Sequence, residues 1–257
     1  MSLKEPKDMN GLRSNLTLQF LGTGNAFSMD NRYWGSILVD NRIILDASPI
    51  IVPHMKMQNL DLTRLEYIFI THFHGDHFFG LPFLLLDYGY FDAPKHPLVI
   101  IGPSGLKVRI QKLTNLGFTG LLEKLEGRVE LKFIEIDRAG KNKALGFQFN
   151  AEAMSHGGNK AFGYKFTLKG KTIAYTGDTD LCDGVYRLAE ETDYLIIELS
   201  NPDQDVPGHM SLEKLKILRE KIEPNVKIIL NHLGPMKNDI TKSENVIIPD
   251  DFEVIKI

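Results

Sequence analysis

"ITHFHGDHFFG", Ile70–Gly80, decides the reading of this chain. It places His72, His74 and His77 with Asp76 inside six consecutive residues, directly after the apolar run "EYIFI" (Glu66–Ile70). The protein has only eight histidines in 257 residues, so three of them here call for a common purpose. In an extended segment side chains repeat every two residues, so His72 and His74 project to the same side. A turn at Gly75 into a following helix brings Asp76 and His77 in from a second direction. Imidazole and carboxylate donors suit borderline divalent ions, zinc above all. Two adjacent ions need more ligands than this one segment supplies.

Other polar residues should then stand at strand ends further along, and three do. "AEAMSHGG" puts His156 after a β-type run, "IAYTGDTD" puts Asp178 after another, and "VKIILNHLG" puts His232 after a third. Asp178 is the one residue among them whose carboxylate can bridge two ions. Taken singly, Asp178 also suits a turn cap and either histidine a solvated loop; the set taken together points to a metal site.

The surrounding pattern is that of helices packed on large sheets. "LTLQFLG" (Leu16–Gly22), "SILVD" (Ser36–Asp40) and "RIILD" (Arg42–Asp46) read as short strands. In "DASP", Asp46 or Ser48 is expected to cap a helix, with Pro49 in its first turn, running into "IIVPHMKMQNL". "FFGLPFLLLDYGY" reads as a buried helix, "LVIIG" as a buried strand and "PSGLKVRIQKLTNLGF" as a helix. Successive strands fill Arg128 to Tyr175, with a hairpin turn around Gly170. The chain then alternates: strand "DYLIIEL", helix "SLEKLKILREKIE", strand "VKIIL" and a last strand "DFEVIKI". No linker or repeat divides it, so the expectation is a flexible tail at residues 1–14 and a single domain at 15–257.

Composition narrows the class. The chain is 43% hydrophobic and 25% charged with a formal net charge of -3, as in ordinary globular proteins, with no global pull toward nucleic acid or anionic membrane. Cys182 is the only cysteine, which excludes an internal disulfide framework and a cysteine-rich zinc site. A polar start, "MSLKEPKDMNGLRSN", and no apolar run near the ~20 residues of a membrane helix lead to a cytoplasmic expectation.

The ordered motifs "THFHGDH", "SHGG", "TGDT" and "NHLG" resemble the metallo-β-lactamase superfamily, from Leu16 to His232. That resemblance implies an α/β fold, an αβ/βα four-layer sandwich with the metals at one edge. It implies that His72, His74 and His156 bind one ion, that Asp76, His77 and His232 bind the other, and that Asp178 bridges. Asp46 matches the family aspartate that orients the metal loop. Spacing alone does not divide the ligands in this way. Two further stretches resemble the ribonuclease Z branch and its phosphodiesterase relatives. One is "LQFLGTGNAF", which fails as a dinucleotide fingerprint because the third glycine is missing and no helix clearly follows. The other is "PGHMS", whose His209 would face the scissile phosphate.

The resemblance has gaps. Ribonuclease Z enzymes carry a long arm that grips transfer RNA, usually between the motifs of His156 and Asp178, and only 21 residues separate those two here. "HLGPMK" stands where the family has "HFSxRY". The expected function is therefore hydrolysis of small phosphodiesters or nucleic-acid ends. Two zinc ions, or alternatively manganese, would share a hydroxide, with Asp76 orienting it and His209 serving the phosphoryl oxygens. The alternative is a carbonyl-directed hydrolase, a lactonase or thioesterase, on the same ions. Phe27, Tyr33 and Trp34 are candidates for the mouth of the site, at least two of them expected to be packing aromatics. The apolar excess of "FFGLPFLLL" points to a homodimer.

Overall fold

A computed structural model describes residues 15–235 and 245–257. The segment expected to be a tail, residues 1–14, lies outside the described residues, as do Met236 and Lys237. The first sheet contains β1 (Thr17–Gly22), β2 (Ser36–Val39), β3 (Ile43–Leu45), β4 (Tyr67–Phe69), β5 (Leu98–Pro103) and β6 (Leu131–Ile136), with the last strand, β14 (Val254–Lys256), on the edge beside β1. The second contains β7 (Gly140–Ala144), β8 (Phe147–His156), β9 (Asn159–Leu168), β10 (Lys171–Tyr175), β11 (Tyr194–Leu199), β12 (Lys227–Leu233) and β13 (Val246–Ile247). Each sheet is antiparallel in one half and parallel in the other; β3 to β6 run parallel, and so do β10 to β13.

The sheets face each other across a core of residues such as Phe20, Phe69, Tyr164, Ile196 and Ile229. The outer face of the first is covered by α1 (Ile51–Met57), α2 (Gly75–Phe78), α3 (Leu81–Tyr90), α4 (Leu106–Gly117) and α5 (Leu121–Leu125); α6 (Asp183–Ala189) and α7 (Leu212–Lys221) cover the second. This is the four-layer α/β sandwich. It explains the unbroken apolar runs: Ile196 packs between the sheets while Leu195 and Ile197 pack under helices, so a central strand has no polar face. A fully buried side chain such as Phe69 contributes about 1.5–3 kcal/mol by burial alone.

The helix expected from "DASP" begins later than either proposed cap allows. Its first residue is Ile51, preceded by Ile50 with no side-chain cap. Asp46 instead takes a left-handed backbone, φ 57°, and its carboxylate is used elsewhere. "FFGLPFLLLDYGY" is two helices, because Gly80 N–H donates to the Ala47 carbonyl at 2.9 Å and Pro82 suits a first turn, not a helix interior. Residues 157–177, where an arm would stand, hold β9, β10 and a hairpin turn with Lys169 and Gly170 at positive φ, the geometry that a two-residue hairpin loop prefers. Among the described residues no helix is long and apolar enough to cross a membrane.

Candidate metal centre

Strand direction decides where the polar motifs meet. Asp46 follows β3, His72 and His74 follow β4, Asp178 follows β10, and His232 sits near the end of β12. These strands are parallel within their sheets, so their C-terminal ends share one edge, where α/β folds place their sites. Residues 70–74 stay extended and α2 starts at Gly75, which delivers Asp76 and His77. His156 ends β8, at the turn into β9. Two bonds tie the His72 segment to the second sheet: Tyr164 OH donates to the Ile70 carbonyl at 2.8 Å, and Phe162 N–H to Thr71 O at 3.0 Å. The "TGDT" turn then comes very close. At Gly177, φ 60°, a Cβ would lie 2.6 Å from the Thr71 side chain, so only glycine fits there.

All seven candidate ligands converge. Donor atoms of His72, His74, His156 and Asp178 form one group, and those of Asp76, His77 and His232 a second, each within 4.8 Å. Within the first, His156 Nε2 lies 3.1 Å from His74 Nδ1. Within the second, His77 Nε2 and His232 Nε2 are 3.1 Å apart, and His232 Nε2 is 3.1 Å from Asp76 Oδ2. Asp178 stands between them. Its Oδ1 is 3.3 Å from His77 Nε2, and its Oδ2 is 3.8 Å from His156 Nε2 and 3.9 Å from His72 Nε2.

These residues fit divalent cations. His72 Nε2 and Asp178 Oδ1 are buried without a hydrogen-bond partner among the described residues, which is costly unless something else satisfies them. Burial and the neighbouring His77 hold His72 well below the ordinary imidazole pKa, so it is a neutral donor. Around His77 the balance reverses: burial disfavours its charge, but Asp178, Asp46 and Asp76 together raise its pKa well above the usual value. None of the contacts of Asp46, Asp76 or Asp178 among the described residues is with lysine or arginine. That concentration of buried negative charge is what a cation balances.

The far sides of the rings are fixed in turn. His77 Nδ1 lies 2.7 Å from Asp46 Oδ2, an oxygen that also accepts from Tyr175 OH at 2.8 Å. Asp46 Oδ1 accepts the Thr71 N–H at 2.7 Å. His156 Nδ1 is 2.9 Å from the Gly208 carbonyl, His232 Nδ1 is 2.8 Å from Ser200 Oγ, and His74 Nε2 is 3.2 Å from the Asn159 amide. Such partners set tautomer and ring orientation. Asp46 and His232 both hold positive φ, 57° and 49°, a strained state for side chains other than glycine that persists where surroundings enforce it.

His209 joins the same centre, its ring 4.9 Å from that of His156. Its Nδ1 lies 2.8 Å from Glu198 Oε1. Burial alone would lower the His209 pKa, but the hydrogen bond and charge of Glu198 outweigh it and raise it. Glu198 itself is buried and accepts the backbone N–H groups of Thr179 and Ser200. Glu198, Tyr175 and Ser200 were not singled out from the sequence. A signal existed for Glu198, a charged residue near the end of the otherwise apolar run "DYLIIEL"; Tyr175 and Ser200 carry no such mark.

The aromatic candidates separate. Tyr33 packs edge-on against His54 with ring centroids 4.5 Å apart, and Trp34 Nε1 donates to the Ala26 carbonyl. Phe27 is 80% exposed. Its loop joins the site through Asn25, whose N–H donates to Leu233 O, next to His232.

Comparison with known proteins identifies the family and the fold. The family model described as anti-Pycsar protein Apyc1 matches residues 16–247. Ribonuclease Z of Pyrococcus horikoshii is 25% identical over 293 aligned residues, covering 93% of this chain and 95% of the relative. The short form of human tRNase Z superposes with a TM-score of 0.72 at 25% identity, over 94% of this chain and 99% of that one. The metallo-β-lactamase fold protein YhfI of Bacillus subtilis, 18% identical, gives a TM-score of 0.75 over 95% of this chain and 100% of its own, a likeness of fold. The chain belongs to the anti-Pycsar protein Apyc1 family and is a ribonuclease Z-like, metal-dependent hydrolase of the metallo-β-lactamase superfamily.

Proposed function

We propose that the protein is a dinuclear phosphodiesterase acting on small phosphodiesters or nucleic-acid ends. His72, His74 and His156 would hold one ion, Asp76, His77 and His232 the other, and Asp178 would bridge. One observation carries this reading: Asp178 presents one oxygen to each histidine cluster, while His209, backed by buried Glu198, stands beside them. Bound zinc or manganese would supply Lewis acidity and bring the pKa of a water toward ~7.

The chain's own groups do the rest. Asp76 is the more open of the two carboxylates at the centre, its side chain 13% exposed against 3% for Asp178, and it orients the attacking water and accepts its proton. Glu198 accepts a hydrogen bond from the Nδ1–H of His209, which leaves Nε2–H to face the phosphoryl oxygens and to protonate the leaving oxygen. The raised pKa of His209 keeps that acid charged closer to neutral pH,. Phe27 offers an exposed ring for a nucleobase at the rim. Phe79 and Phe83 are exposed at the start of α3, and Tyr90 and Phe91 at its end are exposed beneath Lys124 and Lys56; this face is the one proposed for a homodimer contact.

A carbonyl-directed reaction is the less favoured reading, because the relatives named ribonuclease Z point to phosphodiesters and an ester or lactone gives His209–Glu198 no necessary task. Zinc- and manganese-loaded protein should turn over bis(p-nitrophenyl) phosphate and members of a panel of short linear and cyclic phosphodiesters. Turnover of esters and lactones with inert phosphodiesters would reverse the assignment.

A further inference from the structure

His209 sits in the segment between β11 and α7, and its imidazole is held by Glu198. The backbone beneath the ring is held by a different residue. Lys214, in the first turn of α7, places Nζ 2.7 Å from Asp180 Oδ1 and 2.5 Å from Asp205 Oδ1, and donates to the His209 carbonyl at 3.0 Å. An ammonium group has three protons, and three acceptors surround this one. They come from three places: the turn two residues past Asp178, the middle of the loop, and His209 itself.

Asp180 extends the clamp. Its Oδ2 accepts the Gly208 N–H at 3.2 Å, and the Gly208 carbonyl meets His156 Nδ1 at 2.9 Å. Gly208 has φ 87°, and a Cβ there would lie 2.9 Å from Gly157 N, so this backbone is pressed against the turn after His156. An imidazole anchored only at Nδ1 can still swing about that bond. The His209 N–H donates to the Val206 carbonyl at 3.1 Å, and the Lys214 bond to the carbonyl of the same residue fixes the backbone on its other side, which narrows that swing and the direction of Nε2.

We propose that Lys214 is a positioning residue for His209, locking the loop that carries it to the turn that carries Asp178. The inference rests on the reading of His209 as the group facing the phosphoryl oxygens. Misplacement of a reacting group by about 1 Å costs up to roughly 10²-fold in rate, so Lys214→Met should lower kcat by about 10- to 100-fold on phosphodiesters with alkoxide leaving groups. KM and metal content should stay at the parent values, and Lys214→Arg should recover part of the loss.

The decisive experiment is a double-mutant cycle on zinc-loaded protein. In a His209→Ala background, Lys214→Met should cause no further loss. Full activity of Lys214→Met, an additive loss beside His209→Ala, or metal content falling in step with activity would each overturn the proposal. If His209→Ala alone leaves turnover unchanged, the catalytic reading of His209 fails and the 1H–13C NMR cross-peak of the His209 ring decides: a shift in Lys214→Met supports positioning, an unmoved cross-peak overturns it. Should Lys214→Met fold poorly, Asp205→Asn is read in its place, since Asp205 is largely exposed and supplies only the loop side of the clamp.

Discussion

Asp46 Oδ2 lies 2.7 Å from His77 Nδ1, inside a site where both side chains are buried. The pair joins the end of β3 to the start of α2, and it explains why Asp46 does not cap the helix that follows it. A short acceptor pinned by Thr71 and Tyr175 leaves His77 one orientation, with Nε2 facing Asp178.

Replacing Asp46 with asparagine should therefore weaken metal binding by about 10- to 100-fold, the usual effect of losing a partner behind a ligating histidine. Tyr175→Phe, which removes one of several bonds to the same carboxylate, should do less. Competition against a chromophoric chelator measures both.

Asp178→Ala should lower metal content and activity together, because the carboxylate faces both histidine clusters. Elemental analysis of the parent protein should return two ions per chain. A single ion in fully loaded, fully active protein would contradict the dinuclear reading.

His209→Ala should leave the ions bound and reduce kcat by roughly 10²–10³, the scale for one preorganised donor. The loss should shrink with p-nitrophenolate esters, whose leaving group needs little protonation. Full phosphodiesterase activity in the metal-loaded variant would remove His209 from the reaction.

Glu198→Gln tests the raised pKa of His209 by its sign. Glu198 stabilises the charged imidazole, so the acid form is lost only as pH rises through the raised value. Without that charge, desolvation dominates and the pKa falls. The alkaline limb of kcat against pH should move to lower pH, with metal content unchanged; an unmoved limb would assign it to another group.

Precursor transfer RNA should be a poor substrate. The stretch where related enzymes insert an arm holds only β9, β10 and their turn, and a net charge of -3 adds no general attraction for RNA. Efficient, position-specific removal of a transfer-RNA trailer would show that another surface provides the grip.

His72, Asp178 and His232 were legible in the sequence because each stands at the end of a run buried on both faces, where a polar residue has no packing reason to be. His156 ends β8, whose Gln148, Asn150 and Glu152 alternate with buried residues, and only its place among the other motifs marked it. The helices of "GLKVRIQKLTNLG" and "SLEKLKILREK" were legible for a similar reason: residue spacing records which face is buried. Short elements were not. "GKNKA" is too polar to declare β7, which forms because β8 offers it an edge, and α5 and α6 are too short to carry a period. The division of the site was not legible either. Asp178 faces two clusters, Glu198 backs His209 and Tyr175 reaches Asp46 across 129 positions, and none of these pairings leaves a local trace. Burial writes itself into neighbouring residues at a fixed repeat. The direction of a side chain at a meeting of two sheets depends on strand order and register, and only the folded chain sets those.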